Sequence, residues 1–165
     1  MTGTNRRRWV AAAVAFGGAA AVAFVGSLLT DIGPWYQALQ KPRWQPPDWL
    51  FGPVWTTIFA CIALAALLAW RRTAAGSGRA WLLTAFAVNA LLNVTWSLLF
   101  FALRRPDWAL AEIGLLWVSI GVLVLLAGRR DRRAGWLLAP YLLWVGFAAA
   151  LNAAIVRLNG PFAAG

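Results

Sequence analysis

The stretch "KPRWQPPDWLFGPVWTTIFACIALAALLAW", Lys41 to Trp70, decides how the chain is read. Its second half, from about residue 50 to 70, has no charged side chain. As a helix rising about 1.5 Å per residue, it is long enough to cross the roughly 30 Å hydrocarbon core of a bilayer. Its first half interleaves Pro42, Pro46, Pro47 and Pro53 with Trp44, Trp49 and Trp55. Consecutive prolines cannot sit inside a helix and bias the residues before them to extended geometry, so with Pro34 they stiffen the connection from Asp31 to Asp48. Asp48 is placed to cap a turn, and Pro53 removes a backbone donor. The regular helix is therefore expected from near Gly52, with Pro53 and Trp55 in its first turn.

Four similar runs flank this one, near residues 10 to 29, 81 to 103, 108 to 127 and 135 to 157, in a chain of 165 residues that is 62% hydrophobic. The expected fold is all-α: an integral membrane bundle of five transmembrane helices, forming a single domain over residues 1–165. Fifteen Lys and Arg against five Asp and Glu would suggest a nucleic-acid partner on a soluble protein. Here the basic residues lie almost wholly in the breaks between runs, where charges must sit if the runs are in lipid, so the partner is the bilayer. Ten of them fall on the N-terminal face and five on the other. The positive-inside rule then puts the N-terminus in the cytoplasm, for an inner or plasma membrane. Arg6 to Arg8 before the first run, and Ala21-Val22-Ala23 within it, are also marks of a cleaved signal peptide. The run exceeds the roughly 7 to 15 residues of such a segment and is taken as a retained helix.

The chain has no histidine, and its one cysteine, Cys61, lies inside an apolar run. No metal site, required cofactor or conventional acid–base constellation is expected. Polar groups within the runs are few. Asn89, Asn93, Trp96, Ser97 and Phe100 share one helical face, which reads either as interhelical hydrogen bonding or as a pocket wall. Asn152 is another amide within a span. Glu112 is either a functional carboxyl or one held at the interface by Arg104, Arg105 or the start of its helix. Small residues repeat at Ala13, Gly17 and Ala21 and again at Gly146, Ala150 and Ala154, as seams inside the bundle or between subunits; the internal seam is preferred. Trp9, Trp70, Trp81, Trp108 and Trp136 sit at run ends as interfacial anchors. Trp96, Trp117 and Trp144 are too deep for that and need partners for their indole N–H groups. Trp35, Tyr36, Trp44, Trp49 and Trp55 make the stiff connection an aromatic surface, read as a lid over the bundle mouth or an anchor on the membrane.

The stretch WYQALQKPRWQPPDWLFGPVW, residues 35–55, resembles the signature of the translocator protein family, TspO/MBR, once called the peripheral benzodiazepine receptor. "LLNVTWSLLFF" is similar to the family's third-helix pattern, "RRPDWALAEIGLLW" to the start of its fourth helix and "PYLLWVGFAAALN" to its fifth-helix motif. The likeness covers about residues 15 to 159. It implies a five-helix bundle, usually a homodimer, whose pocket is closed by a lid-like loop between helices 1 and 2. It also implies binding of protoporphyrin IX, haem-related tetrapyrroles or other flat apolar small molecules. Some bacterial members are reported to degrade protoporphyrin IX in light and oxygen through two tryptophans, which match Trp55 and Trp144 here. The family's other pocket positions fall on Tyr36, Pro47, Asn93, Trp96, Phe100 and Ala148. The cholesterol-recognition pattern of animal members is incomplete: Ala153 stands where it needs tyrosine.

Three functions follow as expectations. The first is binding of a porphyrin for sensing, sequestration or transport, with Trp55, Trp96 and Trp144 on the macrocycle, Tyr36 and Asn93 at its polar edge and Lys41 or Arg43 near its propionates. The second is photooxidative degradation of that ligand using Trp55 and Trp144. The third is a membrane scaffold or stress regulator.

Overall fold

The computed structural model describes residues 3–162, so the domain expected over 1–165 extends past them at both ends. The side chain of Arg7, one of the charges counted at the N-terminal end, also lies outside the described set. The chain forms α1 (Gly3–Leu29), a short α2 (Pro34–Ala38), a 3-10 turn (Asp48–Leu50), α3 (Phe51–Arg72), α4 (Ser77–Ser97), α5 (Pro106–Arg130) and α6 (Arg132–Asn159). Five of these helices are long and apolar enough to cross a membrane. Helix α4 runs on into a π-helical turn, Leu98–Ala102, which the apolar pattern does not announce. Helix α3 begins within a residue of the expected start near Gly52.

The five spans form a ring in the order α1, α3, α6, α5, α4 and back to α1, with α3 also touching α5. The closest approach is between α5 and α6. Asp131 alone links them and caps α6 by accepting from the Arg133 N–H at 2.9 Å. A Cβ on Gly135 would lie 3.0 Å from the Gly128 Cα, so two glycines let these backbones nearly touch. Higher up the pair, Gly146 leaves room for the Trp117 indole, whose N–H donates to the Leu142 carbonyl at 3.1 Å. The small residue at 146 thus serves a seam inside the bundle, whereas Ala150 of the same expected stripe is exposed. Near the far end the Asn152 amide, suitably oriented, donates to the Pro106 carbonyl (3.1 Å) and accepts from the Leu110 N–H (3.0 Å). It satisfies backbone groups in the first turn of α5.

The stripe expected on α1 does not behave this way. Ala13, Gly17 and Ala21 are exposed, while Ala11, Ala15, Gly18 and Ala19 face the bundle. Alanine and glycine occur all round this helix, so their spacing could not single out the inward face. None of the apolar window of α1 is buried.

The core divides by height. Leu82, Leu123 and Leu138 pack at the arginine-rich end, Ile58, Ile113, Ile120 and Tyr141 in the middle, and Tyr36, Phe100, Leu151 and Ile155 at the lid end. At the α4–α5 turn Arg104 takes a positive φ of 53°. The Arg105 N–H returns to the Leu99 carbonyl and the Leu103 N–H to that of Leu98, closing the helix with a residue in the left-handed region.

Candidate functional site: an aromatic lid half and an arginine-mouthed chamber

The connection between α1 and α3 lies across one end of the ring. Gln40 and Asn159 clasp it to the end of α6: the Gln40 N–H donates to Asn159 Oδ1 at 2.7 Å, and Asn159 Nδ2 donates to the Gln40 carbonyl at 2.9 Å. Tyr36 is buried beneath it against Phe101, and the Trp35 ring meets Phe100 edge-on at 6.2 Å. Asp48 is not the side-chain cap that its position suggested. Its carboxylate accepts from Tyr36 Oη (3.1 Å), Gln45 Nε2 (3.1 Å) and, at the limit of range, Gln37 Nε2 (3.5 Å), so it ties the lid together from inside. Burial of the phenol, with the Asp48 charge beside it, pushes the Tyr36 hydroxyl up to about 12 from its usual 10. Lys41 Nζ lies 3.9 Å from the centre of the Tyr36 ring. Trp49 remains 72% exposed, so only part of the expected aromatic surface turns inward.

Below the lid, the residues expected to form the site fall into two panels that share Trp96. Tyr36, Trp96 and Phe100 belong to the lid-end cluster, where Trp96 and Phe100 stack at 5.2 Å. Trp55, Trp96, Trp144 and Ala148 pack on the middle cluster. Trp55 meets Tyr141 edge-on at 6.1 Å, and Trp144 meets Phe51 at 5.6 Å and Phe147 at 5.4 Å. Trp144 and Phe147 also line a groove of about 510 Å³ between α3 and α6, together with Pro53 and Pro140. Trp44 of the lid overhangs it, 5.7 Å from Phe147. Pro47 stands apart, exposed at the start of the 3-10 turn. The Tyr36 hydroxyl, expected at a ligand's polar edge, already donates to Asp48 and accepts from Gln45 at 3.2 Å.

Four side chains in this half have buried polar atoms without a hydrogen-bond partner: the indole N–H groups of Trp96 and Trp144, both carboxyl oxygens of Glu112 and, in the lid itself, Gln45 Oε1. Glu112 is not held by the neighbouring arginines. Arg105 pairs with Asp107, and Arg104 lies over the Trp35 ring. Asn89 Nδ2 donates to Ser119 Oγ at 2.8 Å, and Trp96 and Glu112 each follow seven residues closer to the lid on their own antiparallel helices. They therefore sit at one level, about 10 Å above that bond. Buried polar groups left unpaired in a low-dielectric interior are costly, and such groups mark places where a ligand's polar atoms are met.

Asn93 lies elsewhere. Its Nδ2 donates to Tyr141 Oη (3.1 Å), which donates to Asn89 Oδ1 (3.3 Å), so the amide face of α4 bonds across to α6 and, through Ser119, to α5. Asn89, Asn93 and Tyr141 floor a separate, partly open chamber of about 1490 Å³ bounded by α1, α3 and α4, with Arg6, Arg8, Arg71 and Arg79 at its mouth. The amides of this face bond helix to helix, and Asn89 and Asn93 also line a cavity. This chamber is not legible in the sequence, because its apolar walls come from three helices that show no common pattern.

A family model describing the TspO/MBR family matches residues 10–158. The chain belongs to the TspO/MBR family. A tryptophan-rich protein TspO from Chlorobaculum tepidum is 41% identical over 145 residues, covering 84% of this chain and 89% of the relative. A tryptophan-rich sensory protein from Cereibacter sphaeroides is 34% identical, with 84% and 85% covered. The human translocator protein is 32% identical over 126 residues, with 76% and 75% covered. Membership in the TspO/MBR family and the five spans together make this a multi-pass integral membrane protein.

Proposed function

We propose that this protein binds a flat apolar ligand of the porphyrin or tetrapyrrole class in the lid half of its bundle, to sense it, sequester it or pass it across the membrane. The observation that carries the reading is the set of unpartnered buried groups in the lid half: two indole donors on the aromatic panels, Trp96 and Trp144, and the Glu112 carboxyl at the level of Trp96. A macrocycle with ring nitrogens and carboxylates offers both acceptors and donors to such a set, and faces for Trp55, Trp96, Phe100 and Trp144 to stack on. Ala148 and, once the lid lifts, Tyr36 complete the ligand-binding set, and Pro47 shapes the lid; Asn93, expected in that set, is bonded to Tyr141 on the floor of the other chamber and has no part in it. The names of the relatives, sensory and translocator proteins, agree with such a role. A homodimer and a cytoplasmic N-terminus belong to the same reading.

Quenching of tryptophan fluorescence by protoporphyrin IX in the dark tests it. Saturable quenching is expected, with affinity lowered at least tenfold by Trp144→Ala; unchanged affinity removes Trp144 from the site. A second reading rests on the position of Trp55 and Trp144, which flank one cluster from facing helices. There they are placed to take part in oxidation of a light-excited porphyrin by oxygen. Trp55→Phe and Trp144→Phe would then keep affinity and lose formation of a new pigment under illumination. Equal bleaching by wild type and variants rejects it.

A further inference from the structure

The chamber at the arginine-rich end has no part in the lid-side reading. It is already open, whereas the lid half is packed. Arg79 at its mouth and Asn93 at its floor are fourteen residues apart on α4, about 21 Å along the helix. A bilayer leaflet is about 15 Å of hydrocarbon deep, so the chamber reaches from headgroup level to just past the midplane. Its walls are apolar, with Ala15 and Gly18 of α1 facing Ile62 of α3 and Phe86 of α4. The mouth carries four guanidinium groups and no carboxylate. Ion pairs among the described residues join Arg72 to Asp131 and Arg105 to Asp107, leaving Arg6, Arg8, Arg71 and Arg79 outside them. Arg79 donates to the Thr73 carbonyl at 3.0 Å and lies over Trp70, which holds the mouth in shape.

We infer that this chamber is a binding site for an anionic phospholipid of the adjoining leaflet, its phosphate among the mouth arginines and an acyl chain between α1, α3 and α4. Arginine matches phosphate geometrically, and the apolar depth excludes a free anion as the full ligand. Each basic residue near an anionic headgroup is worth about a fivefold change in binding, so removing three gives on the order of a hundredfold.

Native mass spectrometry of the purified full chain with phosphatidylglycerol, or with phosphatidylcholine bearing the same chains, tests the site. Phosphatidylglycerol is expected to stay bound, with phosphatidylcholine at least tenfold weaker. The triple substitution Arg6→Gln, Arg8→Gln, Arg71→Gln changes exposed side chains and spares Arg79; it should remove most of that preference. Gly18→Phe offers a second route, because a Cβ at Gly18 meets nothing within 4 Å and the ring would enter the chamber without displacing protein. It should block both lipids while the arginines remain. Equal binding of the two lipids, retention of phosphatidylglycerol in both variants, displacement by inorganic phosphate alone, or competition by protoporphyrin IX would each overturn the assignment. Porphyrin quenching that depends on Trp144 should be unchanged in the triple variant, so failure of the lid-side reading and failure of this one are read separately.

Discussion

Replacing Asp48 by asparagine should loosen the lid while leaving the five-helix ring intact. Asp48 accepts two hydrogen bonds at 3.1 Å, from Tyr36 and Gln45. Bonds to a charged acceptor contribute about 1.5–3 kcal/mol each and neutral ones about 0.5–1.5 kcal/mol. An asparagine that keeps both bonds as neutral ones loses about 2 kcal/mol, allowing for the half-exposed setting, which raises the population of opened lid about 30-fold. Hydrogen exchange read by mass spectrometry should show faster exchange in the segment from Pro34 to Leu50 and no change in α5. The same substitution should bring the Tyr36 phenol down from about 12 toward its ordinary value, because the Asp48 charge is gone and opening relieves the burial. The sign follows from the raised value: in the native protein the contribution of Tyr36 to lid closure is complete below about pH 10 and is lost as pH rises through about 12. Unchanged exchange in the lid together with an unshifted tyrosinate titration would refute the role given to Asp48.

Tyr141→Phe removes the hydroxyl that joins Asn93 to Asn89, and interhelical bonds in membranes average about 0.6 kcal/mol with a maximum near 1.7, so a loss of about 1–3 kcal/mol is expected in detergent unfolding. Gly135→Ala puts a methyl 3.0 Å from the Gly128 Cα and should cost about 1–3 kcal/mol by separating α5 from α6, whereas Gly17→Ala, which meets open space, should be tolerated; equal stability of the two variants would contradict the close packing described.

The five spans were readable because lipid imposes a length and a polarity on each of them, and the breaks carried nearly all the charge. The inward face of α1 was not readable, since its alanines and glycines surround the helix. Nor was the role of Asp48, which depends on a contact with Tyr36 twelve residues earlier that no local spacing encodes. At the candidate site, motif resemblance brought Trp55, Trp96, Phe100 and Trp144 into one half of the bundle, but it grouped Asn93 with them. Asn93 points to the other chamber because the Tyr141 hydroxyl draws it there. Glu112 was legible as unusual, and its lack of a partner became visible only when Arg104 and Arg105 were found engaged elsewhere.

The ring order has a consequence for how the molecule is made. Helix α1 leaves the ribosome before its neighbours α3 and α4, and the most closely packed pair, α5 and α6, is synthesised after all three. With nothing in its apolar window buried, α1 can wait in the bilayer as a lone lipid-soluble rod. The clasp between Gln40 and Asn159 cannot form until the last turn of α6 has been made. Formation of α6 is thus the event that fastens the lid, and a nascent protein has an open mouth until that helix is in place.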